Sequence, residues 1–131
     1  MKNVVLHTKG AVSRVVTEKD TASAMGSGSL QVFATPMMVA KMEESACQAI
    51  APFLEDGETT VGTALNIQHI SATPVGMTVT AEAEIVAVNG REITFQVSAK
   101  DEAGTIGNGT HKRFLVYAEK FQAKADKRGQ S

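Results

Sequence analysis

Residues 35–50 carry a helical repeat of apolar and polar positions, whereas most of the later chain alternates with a period of two. Thr35-Pro36 offers a hydroxyl able to cap free backbone N–H groups, followed by proline at the first helical position, and Pro52 ends the repeat. One face of the predicted helix carries Val39, Met42, Glu43, Ala46 and Ile50, and the other carries Lys41, Glu44 and Gln48. We therefore expect Glu43 to point inward and Glu44 outward.

Alternation with a period of two predicts five strands, over residues 11–17, 60–71, 77–88, 92–100 and 105–119. The second strand places Val61, Thr63, Leu65, Ile67 and His69 on one side, and the last places Phe114, Val116 and Ala118 on one side. Turn sequences at residues 73–76, 89–90 and 101–104 join the last four strands. Residues 21–29 form a small-residue loop with Gly26 and Gly28, expected to be mobile or shaped by a partner. The pattern predicts an α+β fold, with one long helix packed on an antiparallel sheet.

The length of 131 residues fits one domain, spanning residues 1–131 with a poorly ordered tail beyond about residue 121. A formal charge of -1 argues against nucleic acid as a partner, because such binding relies on a broad positive field. The one cluster of basic residues lies in the tail, where it is mixed with Glu119 and Asp126; it consists of Lys120, Lys124, Lys127 and Arg128. The mixture favours a solvated end of the chain, and a smaller role near a phosphate-bearing ligand stays open.

Cys47 is the only cysteine, which excludes an intrachain disulfide, and its helical context favours a packed thiol. No segment is apolar over the length of a membrane span, so we expect no membrane association and a cytoplasmic location. Nucleophile-elbow, Walker, dinucleotide and metal-binding histidine motifs are missing, and we expect neither a metal nor a separate cofactor.

Glu43 and His69 are titratable residues on otherwise apolar faces. Burial raises the pKa of a carboxyl group and lowers that of an imidazole, which makes both candidates for proton transfer near neutral pH. A hydrogen-bonded core role is the alternative for each. Thr35 reads most simply as a helix cap, although a helix start also offers N–H groups and a positive dipole end to an oxyanion. In the last strand His111 and Arg113 share a face; surface charges are the simple interpretation, but Arg113 could meet a carboxylate or phosphate.

Three segments together resemble the hotdog thioesterases, particularly their fluoroacetyl-CoA thioesterase-like branch: residues 33–43, 61–69 and 72–76, read as FATPMMVAKME, VGTALNIQH and ATPVG. The similarity extends over roughly residues 12–121. The hydroxyl, glutamate and histidine of the family occur in order at Thr35, Glu43 and His69. The resemblance implies a hotdog fold with a long helix wrapped by an antiparallel sheet. It also implies a homodimer, with tetramers left open, and an acyl-CoA site at or near the dimer interface.

The resemblance assigns roles to single residues. Thr35 would attack the thioester or position water, Glu43 would act as base or nucleophile, and His69 would act as acid and base or orient a neighbour. Gly62 would bring a backbone N–H near the thioester carbonyl, Arg113 would lie near the site, and Phe33 is the aromatic nearest the helix start. The predicted activity is hydrolysis of a small or medium acyl-CoA, with CoA entering only as part of the substrate.

The chain departs from the family before the helix, where residues 24–29 are small and the fluoroacetyl-CoA enzyme has bulky aromatic lid residues. This difference leaves the identity of the acyl group open. The sequence also does not decide between covalent catalysis and direct attack by water. Two other functions are also open: a hotdog hydratase or dehydratase, which would turn over enoyl-CoA without releasing thiol, and a non-catalytic acyl-CoA-binding module.

Overall fold

A long helix, α2 (Thr35–Ile50), lies across one face of a five-stranded antiparallel sheet in the computed structural model, which describes residues 1–130. A short helix, α1 (Ala22–Met25), precedes it, and α3 (Ala118–Gly129) follows the last strand. The strands are β1 (Lys9–Val15), β2 (Glu58–His69), β3 (Thr78–Asn89), β4 (Glu92–Asp101) and β5 (Gly104–Tyr117). This confirms the predicted α+β layout and the predicted long helix, which begins one residue earlier than expected.

The core forms between the inner face of the sheet and α2. Alternate residues of the two central strands are buried as predicted, and they meet the apolar side of α2; the strand residues are Val79, Ala81, Ala83, Ile85, Ile93, Phe95, Val97 and Ala99, and the helix residues are Met38, Met42, Ala46, Ala49 and Ile50. Gly10 shows how closely β1 approaches the helix, because a Cβ there would lie 2.1 Å from the Ser45 carbonyl oxygen. Only glycine fits at this contact.

The strand order is β1-β3-β4-β5-β2, which makes β2 an edge strand paired with β5. The predicted tight turns therefore join β3 to β4 and β4 to β5, and Gly90 has the positive φ of 63° that the first turn needs. The expectation that a tight turn also pairs β2 with β3 is wrong. Residues 70–77 instead carry the chain across the sheet.

Two side-chain orientations also differ from the prediction. The pairing of β2 with β5 shifts between Gly62 and Ala64, so a bulge reverses the alternation, and Val61 does not share a face with His69. In the second half of β5 the buried side chains are those of His111, Arg113 and Leu115, while Phe114 lies on the outer side and is 39% exposed.

Three smaller predictions also meet the structure. Part of the predicted loop at residues 21–29 is the helical turn α1, capped by the Thr21 hydroxyl. The last strand ends at Tyr117, and α3 occupies the segment predicted as strand end and tail. The Cys47 thiol is exposed rather than packed, because it lies on the outer side of α2. Over residues 1–130, no helix has the length and apolar character needed to cross a membrane.

Candidate active site

Thr35 and His69 lie together where α2 begins and β2 ends. The Thr35 Oγ1 to His69 Nδ1 distance is 2.7 Å, a hydrogen bond between residues 34 positions apart. The predicted capping role of Thr35 is wrong, because α2 begins at Thr35 itself, Ala34 is the N-cap residue, and no side chain caps the helix. The hydroxyl is therefore free of a capping role and directed at the imidazole.

The His69 ring is half-buried, and burial lowers its pKa below the ordinary value, against a smaller opposing effect of a backbone hydrogen bond with Ser71. The ring is then neutral at neutral pH and can accept a proton. Its second nitrogen, Nε2, is buried and has no hydrogen-bond partner within residues 1–130. An unpaired buried nitrogen is costly, so this atom indicates a group that the single chain does not supply.

A pocket of about 250 Å³ opens beside the Thr35–His69 pair. Its wall combines apolar side chains with two serines, and it is lined by Ala22, Ser27, Val32, Phe33, Ile70, Ser71 and Ala72 in addition to the pair. Phe33 is thus placed next to Thr35, as predicted, although only 1% of it is exposed. The loop that carries Ser27 forms part of this wall.

Glu43 belongs to a second polar group, at the other end of β2. Its Oε2 accepts from Arg113 Nη1 at 3.4 Å, and Arg113 also donates to the Thr60 hydroxyl at 2.9 Å and the Thr60 carbonyl at 3.0 Å. The Arg113 side chain is 9% exposed and that of Glu43 is 37% exposed. The two Thr60 oxygens and His111 Nε2 hold the guanidinium, so Arg113 presents a positive charge to Glu43 in one orientation.

His111 completes this group, and the simple interpretation of His111 and Arg113 as surface residues is wrong, because they are only 1% and 7% exposed. Arg113 Nη1 lies 3.1 Å from His111 Nε2, and His111 Nδ1 lies 2.9 Å from the Ala64 carbonyl oxygen. Because arginine can only donate, Nε2 accepts and the ring proton is on Nδ1. Burial is the main cause that lowers the pKa of His111, and the charge of Arg113 lowers it further, so the ring stays neutral. In the sequence, the one sign of this role was that His111 shares a strand face with Arg113. The apolar Phe114 and Val116 instead suggested that the opposite face of the strand pointed inward.

Gly62 faces the Glu43 carboxylate. A Cβ at Gly62 would lie 2.8 Å from Glu43 Oε2 and 3.3 Å from His111 Cε1. The absence of a side chain at Gly62 therefore lets the Glu43 carboxylate lie close to the β2 backbone. The structure brings Gly62, Glu43 and Arg113 together, as it brings Thr35, His69 and Phe33 together.

The two groups lie apart within one chain. Thr35 and Glu43 are separated by 43 − 35 = 8 residues of α2, about 12 Å along the helix axis. Gly62 and His69 are separated by 69 − 62 = 7 residues of β2, about 23 Å along an extended strand. One chain alone therefore does not bring the Glu43 carboxylate to the Thr35–His69 pair.

The backbone before Thr35 is fixed from two sides. The Ala34 N–H donates to the Asp20 carbonyl and the Phe33 N–H donates to the Thr73 carbonyl, each at 2.8 Å. Asp20 is buried, and its carboxylate accepts from Arg14 Nε and Nη2, both at 2.8 Å. These bonds hold the start of α2, and with it the Thr35 hydroxyl, on rigid supports.

Comparisons with known proteins identify the family of this chain. Residues 16–119 match the family model FlK, described as fluoroacetyl-CoA-specific thioesterase. The fluoroacetyl-CoA thioesterase of Streptantibioticus cattleyicolor is 49% identical over 94 residues, which are 72% of this chain and 68% of the relative. A threonine-to-serine mutant of FlK in complex with acetyl-CoA superposes with a TM-score of 0.90 at 37% identity, over 95% of this chain and 98% of that one.

A hypothetical protein of Thermus thermophilus, described as a thioesterase superfamily member, superposes with a TM-score of 0.92. It is 27% identical, over 99% of this chain and 96% of that chain. The long helix on its antiparallel sheet is thus the hotdog fold.

Proposed function

This chain belongs to the family of fluoroacetyl-CoA-specific thioesterases, which makes it a hydrolase of acyl-CoA thioesters, and we propose that Thr35, Glu43 and His69 carry out the hydrolysis. The 2.7 Å hydrogen bond between Thr35 and His69 carries this proposal. A hydroxyl beside a neutral imidazole is an activated nucleophile, or a group that positions the water which the imidazole activates.

The chemistry can follow either of two routes at this pair. In the covalent route Thr35 Oγ1 attacks the thioester carbonyl, His69 accepts the hydroxyl proton and passes it to the leaving CoA sulfur, and water then cleaves the threonine ester. In the direct route His69 takes the proton from water held by Thr35, the water oxygen adds to the thioester carbonyl, and the C–S bond breaks as His69 returns the proton to the CoA sulfur. A burst of CoA release before the steady state identifies the covalent route.

We propose a homodimer in which each site takes residues from both copies. The middle of β2 is exposed at the sheet edge, and such an edge readily pairs with another strand. Antiparallel pairing of two β2 strands about a two-fold axis between Leu65 and Asn66 sets Gly62 of one copy opposite His69 of the other, since 62 + 69 = 65 + 66. Glu43 of one copy then approaches the unpaired His69 Nε2 of the other.

Donors for the developing oxyanion are few at the helix start. Pro36 has no N–H, and the N–H groups of Met37 and Met38 both donate to the Ala34 carbonyl. The Thr35 N–H of one copy and the Gly62 N–H of the other are therefore the proposed donors. The pocket beside Thr35 has room for a small or medium acyl group, and we place the enzyme in the cytoplasm with its CoA substrate.

Complementation between inactive variants tests the shared site. We expect Glu43→Ala and His69→Ala each to lose most CoA release, measured with a thiol reagent over a panel of short and medium acyl-CoAs. When the two variants are unfolded and refolded together, half of the dimers are mixed and hold one intact site of two, which restores about a quarter of wild-type activity.

Each variant refolded alone is the control and should stay inactive. Sedimentation of the wild type reports whether dimers associate further into tetramers. Full activity of a monomer, or no recovery in mixtures shown to contain mixed dimers, would contradict the shared site. Absence of CoA release from every acyl-CoA would contradict the assigned hydrolysis.

A further inference from the structure

A basic hollow lies between α3 and the turn that joins β3 to β4, apart from the groups described above. It has a volume of about 190 Å³ and is lined by Arg91, Val116, Tyr117, Lys120, Phe121 and Lys124. Residues 117, 120, 121 and 124 recur at the three- and four-residue spacing that brings side chains to one face of a helix. Three cationic and two aromatic side chains thus meet in one concave surface.

The side chains of this hollow are available to a ligand. Tyr117 is 46% exposed and Phe121 is 45% exposed, and the Arg91 guanidinium carbon lies 5.3 Å from the centroid of the Tyr117 ring. Within residues 1–130, neither Lys120 nor Lys124 forms an ion pair. The exposed Phe121 ring lies between two lysines on this face, so a flat, anionic partner could contact ring and charges together.

Opposing charges near the hollow are already engaged or lie to its side. The Glu58 carboxylate lies close enough to Arg91 to feel its charge, but it accepts from the Met1 ammonium group at 2.7 Å. Glu92 pairs with Lys112 at 3.5 Å. Glu119 lines a neighbouring hollow rather than this one. The hollow therefore keeps a positive balance.

We propose that this hollow binds the nucleotide end of the CoA substrate, with the phosphates on Lys120, Lys124 and Arg91 and the adenine against Phe121. The proposal rests on the acyl-CoA hydrolysis proposed above. Lysine and arginine donate charge-assisted hydrogen bonds to phosphate, and an aromatic side chain stacks on a base. The combination in one hollow matches a phosphorylated adenosine.

The position of the hollow suits this ligand. Tyr117 pairs with Glu58 on β2, and Gly62 lies four residues further along that strand, about 13 Å away. The chain of atoms between the CoA sulfur and its diphosphate is about as long as four to five extended residues, roughly 15 Å. A thioester at Gly62 and Glu43 can therefore have its nucleotide in the hollow of the same copy.

Two substrates that differ only at the nucleotide end test the proposal. The first is the acyl-CoA that the wild type hydrolyses fastest, and the second is the matching acyl-pantetheine. We expect Lys120→Gln and Lys124→Gln each to raise the KM for the acyl-CoA about threefold, and the double variant about tenfold, as for exposed charge pairs. Neither should change the KM for the acyl-pantetheine.

Lys100→Gln is the matched control, because it removes one exposed positive charge from the far end of β4 and should leave both KM values unchanged. Titration calorimetry with CoA itself, and competition by adenosine 3′,5′-bisphosphate, measure the hollow without turnover. This separates failure of the hollow from failure of the hydrolysis.

An unchanged CoA affinity in the Lys120→Gln/Lys124→Gln double variant would overturn the proposal. Equal losses with acyl-CoA and acyl-pantetheine would also overturn it, because they would indicate a structural effect of the substitutions. A wild type that binds CoA but hydrolyses no thioester would leave the hollow supported and the proposed function refuted.

Discussion

Asp20→Asn should destabilise the protein in a pH-dependent way. The buried carboxylate accepts four hydrogen bonds, two from Arg14 at 2.8 Å, one from the Thr17 N–H at 3.0 Å and one from the Thr17 hydroxyl at 3.2 Å. Asparagine keeps at most part of this set and leaves the Arg14 charge without its counter-ion.

The size of the effect follows from burial and exposure. Breaking a buried ion pair costs about 3–5 kcal/mol, but the Arg14 side chain is 38% exposed and water screens it, so we expect about 2 kcal/mol. With an unfolding entropy of about 2.1 cal/mol/K per residue, this lowers the Tm by about 7 °C. Asp126→Asn is the control: it alters an exposed carboxylate bonded to Gln122, and the Tm should change by less than about 1 °C.

The pH dependence identifies the charge as the cause. Hydrogen bonds from Arg14 hold the pKa of Asp20 below its usual range, so the folded pKa is lower than the unfolded one. Stabilisation of this kind is fully present above the unfolded pKa of about 3.9 and is lost as the pH falls through the folded pKa. The Tm difference between wild type and Asp20→Asn, measured by calorimetry, should thus be large at pH 7 and shrink below about pH 4. A difference that stays constant down to pH 3 would refute this reasoning.

Three further predictions concern the site. Thr35→Ala should lower kcat by roughly 10²–10³-fold, whereas Thr35→Ser keeps the hydroxyl and most of the rate; equal losses in steady-state assays would exclude a role for the hydroxyl. The kcat/KM of the wild type should fall at acid pH as His69 takes up a proton, because only the neutral ring accepts one; burial lowers the pKa of His69 and the partner's Glu43 carboxylate in the proposed dimer raises it, so Glu43→Gln should move the acid limb to lower pH, and an unmoved limb would contradict the pairing. Gly62→Ala should lower kcat/KM about tenfold with little loss of Tm, since the new Cβ meets the movable tip of Glu43 rather than backbone; an unchanged rate would show that Glu43 has room to spare.

The local pattern of apolar and polar residues was sufficient to predict the helix and strands whose sequence signals lie within a few residues. Proline near each end of residues 35–50 and a helical repeat between them predicted the long helix, which begins one residue before Pro36 and ends at Ile50. Alternation predicted the buried faces of β3 and β4, because both strands are central and pack one face on α2. Motif resemblance then added Thr35, which periodicity alone had assigned to a cap.

Long-range pairing decided what the pattern could not. Nothing in the sequence of β2 states that it pairs with β5 at the sheet edge, and the bulge after Gly62 depends on that pairing. Both faces of β5 carry apolar residues, so the choice of the inner face, with His111 and Arg113, is made by the position of α2. Only the folded chain shows that Thr35 and His69 meet while Glu43 lies two helical turns away. The sequence by itself identified Thr35, Glu43 and His69 as candidates, and the tertiary structure decided how they are grouped, because strand order and register arise from contacts between residues far apart in the chain.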